Sequence, residues 1–308
     1  MPFDKTKIKV GATVTAPRIV LVGVEGIGKT TAGAQCEAPV FLSAESGLVG
    51  KGYDDIPNYS PEDWEDVLAF LRHVAEDQHD YKSLIIDTID WVEPLLFSYL
   101  FKRDSKGREK PLTSLEDYGY NKGPGIALAE FRRGLAELDK IHRRGILVMI
   151  NAHCHIKSFN NPMGDNYDRF ELKASKLIAG IIKEWADTVL FARYEVFTNK
   201  GKGDLKAKGV GGQTRIVHTQ HSAAWDAKNR YGLPATMAFD MAGILEAMKS
   251  GNPETPENIM AEINALLPQL DEATQKKIAA FVEDNKTNVL KLTQTLNRVR
   301  TLTQGNGE

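Results

Sequence analysis

The eight residues Gly23-Val24-Glu25-Gly26-Ile27-Gly28-Lys29-Thr30 limit what this chain can fold into more than any other stretch. They repeat the spacing G-x-x-x-x-G-K-[ST] of a phosphate-binding loop. Backbone N–H groups wrap a polyphosphate only where side chains are missing at the tight points, hence the glycines. Gly23, Val24, Glu25, Gly26, Ile27, Gly28, Lys29, Thr30 and Thr31 are therefore the candidate nucleotide contacts. Lys29 is placed to reach the β- and γ-phosphates, and the Thr30 hydroxyl to ligate Mg²⁺. The flanks agree. Arg18-Ile19-Val20-Leu21-Val22 is short, apolar and β-branched, as a buried strand is. Thr31-Ala32-Gly33-Ala34-Gln35 can open a helix whose N-terminus faces the anion.

Further apolar runs at 40–42, 84–86, 146–150 and 188–191 alternate with helical spacing over 61–76, 91–101, 126–142 and 174–185. Alternation of this kind predicts an α/β fold, a mostly parallel sheet flanked by helices. Residues 194–198 and 215–219 flank the Gly/Lys-rich 199–212 and predict a β-hairpin with a long loop. After Ser250 the pattern changes. A Pro/Gly-containing linker over 251–256 leads to amphipathic helices at 257–267, 272–284 and 289–302. The chain thus divides into an ATP-binding core, 1–250, and a helical C-terminal extension, 251–308.

The chain has 308 residues, 42% of them hydrophobic, and a formal net charge of −2. That balance excludes a uniformly basic nucleic-acid coat but leaves room for local basic loops. Cys36 and Cys154 are the only cysteines, which fits a reduced intracellular protein better than a disulfide scaffold. No signal-peptide-like stretch opens the sequence, and no apolar run approaches the roughly 18 residues of a membrane span. The expectation is a cytoplasmic protein with no membrane partner.

Leu84-Ile85-Ile86-Asp87 is a strand ending in an acid, and downstream of a phosphate loop such an acid sits beside the Mg²⁺ shell. Asp87 is thus the metal candidate with Thr30. Asp90 lies past the strand end and reads as a loop cap. Glu45 directly follows the strand after the phosphate-loop helix, where a carboxylate can orient the attacking water. In Ile150-Asn151-Ala152-His153 a polar strand end can sense the γ-phosphate, and His153 is the candidate. The tandem His153-Cys154-His155 lacks the second ligand pair a structural zinc site wants. Lys228 and Arg230 stand two apart on an extended segment, point to the same side, and can neutralise γ-phosphate charge as an arginine finger does.

Taken together, these segments resemble the RecA-like ATPase core. In RecA-type recombinases the residue matching Glu45 is the catalytic base, and His153 occupies the sensor place. Lys228-Asn229-Arg230 resembles the Lys-x-Arg element of DnaB-type hexameric helicases, which the neighbouring subunit supplies. Residues 15–245 are most similar to phage-encoded, compact RecA-like recombinases that anneal single strands, a group in which the Lys-Asn-Arg-aromatic-Gly-Leu-Pro segment is characteristic. The resemblance implies ATP and Mg²⁺ as cofactors and a DNA recombination role in the bacterial host's cytoplasm. It implies as partners single-stranded DNA, further copies of the chain in a ring or filament, and a single-strand DNA-binding protein. The alternative is a helicase loader or DnaB-like motor component. DNA-facing loops are then expected in two places. One holds Lys102, Arg103, Lys106, Arg108, Lys110, Tyr118, Tyr120 and Lys122, the other Lys157, Phe159, Arg169, Phe170 and Lys173. Cations interleaved with aromatics suit phosphate contact and base stacking.

Overall fold

The computed structural model describes residues 16–45, 48, 52–199, 208–250, 256–287 and 289–304. The chain divides into two units, Met1–Asp187 and Thr188–Glu308. In the first, β1 (Arg18–Gly23), β2 (Pro39–Ser43), β3 (Asn58–Tyr59), β4 (Ser83–Asp87) and β5 (Leu147–Phe159) run parallel in the order β3-β2-β4-β5-β1. Ile19, Val20, Leu21, Phe41, Leu42, Leu84, Ile85, Met149 and Ile150 expose no surface. Strands covered on both faces read as unbroken apolar runs, which is why these were legible in sequence. The covering helices are α1 (Lys29–Ala34), α2 (Trp64–Glu76), α3 (Ile89–Asp104), α4 (Gly123–Arg143) and α5 (Lys176–Trp185). The predicted α/β class, a mostly parallel sheet flanked by helices, is what forms.

Local chemistry sets the helix ends. Asp63 caps α2 by accepting the Asp66 N–H at 3.0 Å. Gly33 lets α1 lie close on the sheet, since a Cβ there would meet Ile85 and Phe41 at 2.8 Å. Register then gathers the strand ends on one edge: Gly23 lies opposite His153, and Ser43 opposite Asp87.

Sequence reading ends the fourth strand with Ile150-Asn151-Ala152-His153 and expects a DNA-facing loop beyond it. The structure runs β5 on to Phe159 and folds it back as β6 (Tyr167–Leu172), antiparallel, with Lys157 opposite Arg169 and Phe159 opposite Tyr167. The apolar run stops at Asn151, still buried in the sheet, where its amide turns to Asp87; past His153 the ribbon leaves the covered sheet and its side chains alternate between two faces.

In the second unit β7 (Thr188–Asn199) and β8 (Lys208–His218) form an antiparallel hairpin, and β9 (Thr236–Ala238) adds to β8. The ends of the expected 199–212 loop, residues 199 and 208–212, are therefore strand, as Asn199 opposite Lys208 shows; residues 200–207 lie outside the described residues. Ladder hydrogen bonds come from the backbone, so a glycine-rich strand can still pair. α6 (Met241–Ser250) follows. The expected linker, apart from Pro256, also lies outside the described residues. α7 (Pro256–Leu266), α8 (Glu272–Asp284) and α9 (Val289–Gln304) bury a cluster of their own: Ile259, Ile263, Leu270, Val282, Leu292, Leu296 and Val299. Among the described residues no helix is long and apolar enough to cross a membrane.

Candidate active site

The phosphate loop turns at Gly26 and Gly28, whose φ angles of 70° and 104° are left-handed. Gly28 is also the N-cap of α1, with no side-chain cap, so the first-turn N–H groups stay open to an anion. Lys29 is buried, and its Nζ donates to the carbonyls of Val24 (3.2 Å) and Gly23 (3.4 Å). Burial lowers its pKa, against the pull of Asp87, Asp90, Cys154 and Glu45. An ammonium so desolvated gains most from an arriving polyphosphate.

Beside it, the Thr30 hydroxyl donates to Asp87 Oδ2 at 2.7 Å. Asn151 Nδ2 donates to Asp87 Oδ1 at 3.1 Å and to the Lys29 carbonyl at 3.2 Å. Asp87 is 3% exposed and Asn151 not at all. The Asp87–Thr88 peptide is cis. Ser43 Oγ and Asn151 Oδ1 are buried without a hydrogen-bond partner. Spare oxygens beside a buried carboxylate are what a hydrated cation uses, so the residues fit Mg²⁺. Thr30 and Asp87 would hold it. Among the described residues no three His, Cys, Asp or Glu gather into a metal group. Mg²⁺ needs none, since it binds through one or two protein oxygens, water and phosphate.

Glu45 is half-buried after β2, where its N–H and that of Ala44 donate to the Asp87 carbonyl at 3.3 and 3.1 Å. The candidate base is thereby tied to the acid strand. His153 is held differently from the expectation. Its N–H donates to Asp90 Oδ1 (3.1 Å), and its Nδ1 lies 2.8 Å from Asp90 Oδ2. Burial disfavours the Asp90 charge, but the His153 side-chain and backbone hydrogen bonds outweigh it and hold this carboxyl below its ordinary range. Asp90, read as a loop cap, is thus the partner of His153, and Asn151 is the residue that touches the metal-site acid. Asn151 and His153 share one side of β5, so their spacing alone could not choose between them.

The two basic segments also separate. Arg103 is engaged with Asp104 and Glu130. Arg108 Nε donates to the Asp104 carbonyl, and the Tyr118 hydroxyl to the Asp104 carboxylate. Lys106, Lys110 and Lys122 are exposed, with Lys122 5.6 Å from the nearly fully exposed Tyr120 ring. On the β5–β6 ribbon Lys157 is exposed, whereas Arg169 is buried, its guanidinium 5.2 Å from the Phe159 ring. Burial leaves Arg169 little surface for phosphate and gives it a role in fixing Phe159.

In the second unit Lys228 pairs with Val189 through both backbone groups, at 2.9 and 3.0 Å. Asn229 Nδ2 donates to the Leu233 carbonyl (2.7 Å), and its Oδ1 accepts the N–H groups of Tyr231 and Leu233, each at 3.1 Å. The turn is built on Asn229, and Arg230 is exposed beside it.

A family model described as an AAA domain matches residues 15–231. Among solved structures, a KaiC-like protein from the hyperthermophilic archaeon Pyrococcus horikoshii OT3 is similar at 13% identity and a TM-score of 0.33, over 66% of this chain and 79% of that one. No curated protein matches.

Proposed function

This chain belongs to the AAA domain family, and from that premise we propose that it is a Mg²⁺-dependent ATPase that binds single-stranded DNA and promotes strand annealing during recombination. The observation that carries the ATPase reading is the Thr30–Asp87 hydrogen bond at 2.7 Å, with Asn151 bracing the acid and unpaired buried oxygens around it. When bound, Mg²⁺ supplies charge neutralisation at the β- and γ-phosphate oxygens. Lys29 adds its charge at the same oxygens. The Glu45 carboxylate orients water and takes its proton at the carboxylate oxygen. Lys228 and Arg230 stabilise the transferring phosphoryl group, supplied by a neighbouring copy in a homo-oligomer. The DNA reading is supported by the cation–aromatic ribbon that starts at His153, whose backbone and ring are bound to Asp90 just past the acid strand.

Two assays on the purified chain test this. Phosphate release should require Mg²⁺ and fall to background in Lys29→Ala; unchanged turnover in that variant overturns the ATPase assignment. Annealing of complementary oligonucleotides should be accelerated by the wild type and respond to ATP. ATPase activity without acceleration would point to the loader or motor reading.

A further inference from the structure

Helical glycines in the first unit fall into two kinds. Gly33 and Gly134 face crowded neighbours: a Cβ would meet Ile85 and Phe41 at 2.8 Å, or Trp64 at 2.9 Å. Gly180, in the middle of α5, has nothing within 4 Å of its added Cβ. A mid-helix glycine weakens a helix relative to alanine, and no packing among the described residues requires it here.

Gly180 lines a cleft of about 570 Å³ between α5 and the β5–β6 ribbon. Lys176 and Lys183 stand four residues before it and three after, on the same helix face. Across the cleft, alternation along β5 turns His155, Lys157 and Phe159 to one side. Tyr167 lies 5.3 Å from the Phe159 ring, and the buried Arg169 backs that ring. His155 Nδ1 is buried with no hydrogen-bond partner. Glu171 is the acid of the lining, 3.8 Å from Lys157. Three lysines, the Phe159 ring and small residues at Ala174, Ala179 and Gly180 in the lining match an extended polyphosphate backbone carrying stackable bases.

We propose that the cleft between α5 and the β5–β6 ribbon binds single-stranded DNA, with phosphates held by Lys157, Lys176 and Lys183 and the sugar–phosphate chain passing over Gly180. This rests on the single-strand reading above and assigns it a place, adding α5, which sequence reasoning left out.

The test is fluorescence anisotropy of a labelled oligothymidylate on the full chain across a range of salt. Gly180→Leu fills the cleft with a good helix former and removes no charge. It should weaken binding by about tenfold or more with the salt slope nearly unchanged, and Gly180→Ala should weaken it less. Lys176→Gln with Lys183→Gln should flatten the slope by about 0.7 for each phosphate no longer neutralised. DNA-independent ATPase activity should stay at the wild-type level in all of them, which also certifies folding. Wild-type affinity and slope in both Gly180→Leu and the lysine pair, while the wild type binds, overturns the cleft and leaves the functional reading standing. No binding by the wild type at all overturns that reading, and the cleft with it.

Discussion

Asp87 and Asn229 are both polar residues that organise a candidate catalytic element, yet they work in opposite ways. Asp87 is the object of its surroundings: Thr30 and Asn151 aim donors at it, and the sheet buries it. Asn229 is the organiser: one side chain binds Leu233 through both its atoms and Tyr231 besides, and so shapes the backbone that carries Lys228 and Arg230. The first arrangement fixes a position inside a preorganised cradle. The second fixes a turn beside which Arg230 is exposed. A cradle of the first kind suits a ligand held within one subunit, and a presented cation suits a target brought to it.

The sharpest way to break that comparison is Arg230→Ala. If the turn presents a finger to another copy, turnover should fall on the order of 10³-fold, while nucleotide binding by the isolated subunit survives. Mixing this variant with Lys29→Ala should restore part of the activity, because some interfaces then join an intact phosphate loop to an intact finger. No recovery at any ratio, with subunit exchange verified, assigns Arg230 to its own subunit.

Glu45→Gln probes the cradle instead. It should retain ATP affinity and lose turnover by about 10²-fold, the usual weight of a positioned general base. Near-normal phosphate release would remove Glu45 from the mechanism. Asn229→Ala comes next: the turn is deprived of three hydrogen bonds, and unfolding by urea should register about 1–3 kcal/mol for the groups left unpaired. An unaltered midpoint would mean that the turn is held elsewhere.

The smallest effect concerns acid. His218 stacks on Trp225 at 4.1 Å, and burial, aided by the Arg193 guanidinium, lowers its pKa from 6.5 to about 4. The folded state therefore resists protonation that the unfolded chain accepts. Its contribution is fully present above pH 6.5 and is lost progressively as pH falls towards about 4. His218→Gln should flatten the pH dependence of the urea midpoint in that window, and an unchanged profile would assign the acid response to other groups.

Legibility in the sequence followed burial. β1, β2 and β4 were readable because strands covered on both faces are apolar throughout, and α8 because its periodicity and its Asp271 cap are local signals. β6 was missed because Tyr167-Asp168-Arg169-Phe170-Glu171-Leu172, a ribbon outside the covered sheet, has neither an unbroken apolar run nor strict alternation. At the site, the phosphate loop and Asp87 were legible because their chemistry is set by neighbours in sequence. Asn151 and the Asp90–His153 pair were not, because partners 64 and 63 residues apart meet only once β5 lies beside β4.

The sheet of the first unit ends, on one side, at β3, a strand of two exposed residues. So short an edge offers almost no ladder for another chain to extend. Tyr59 at that edge stacks on Phe70 of α2 at 4.9 Å, which ties the short strand to its covering helix. Any ring or filament that this chain builds is thereby steered away from continuous β-pairing at this edge. In the homo-oligomer proposed above, copies would join at surfaces other than this edge.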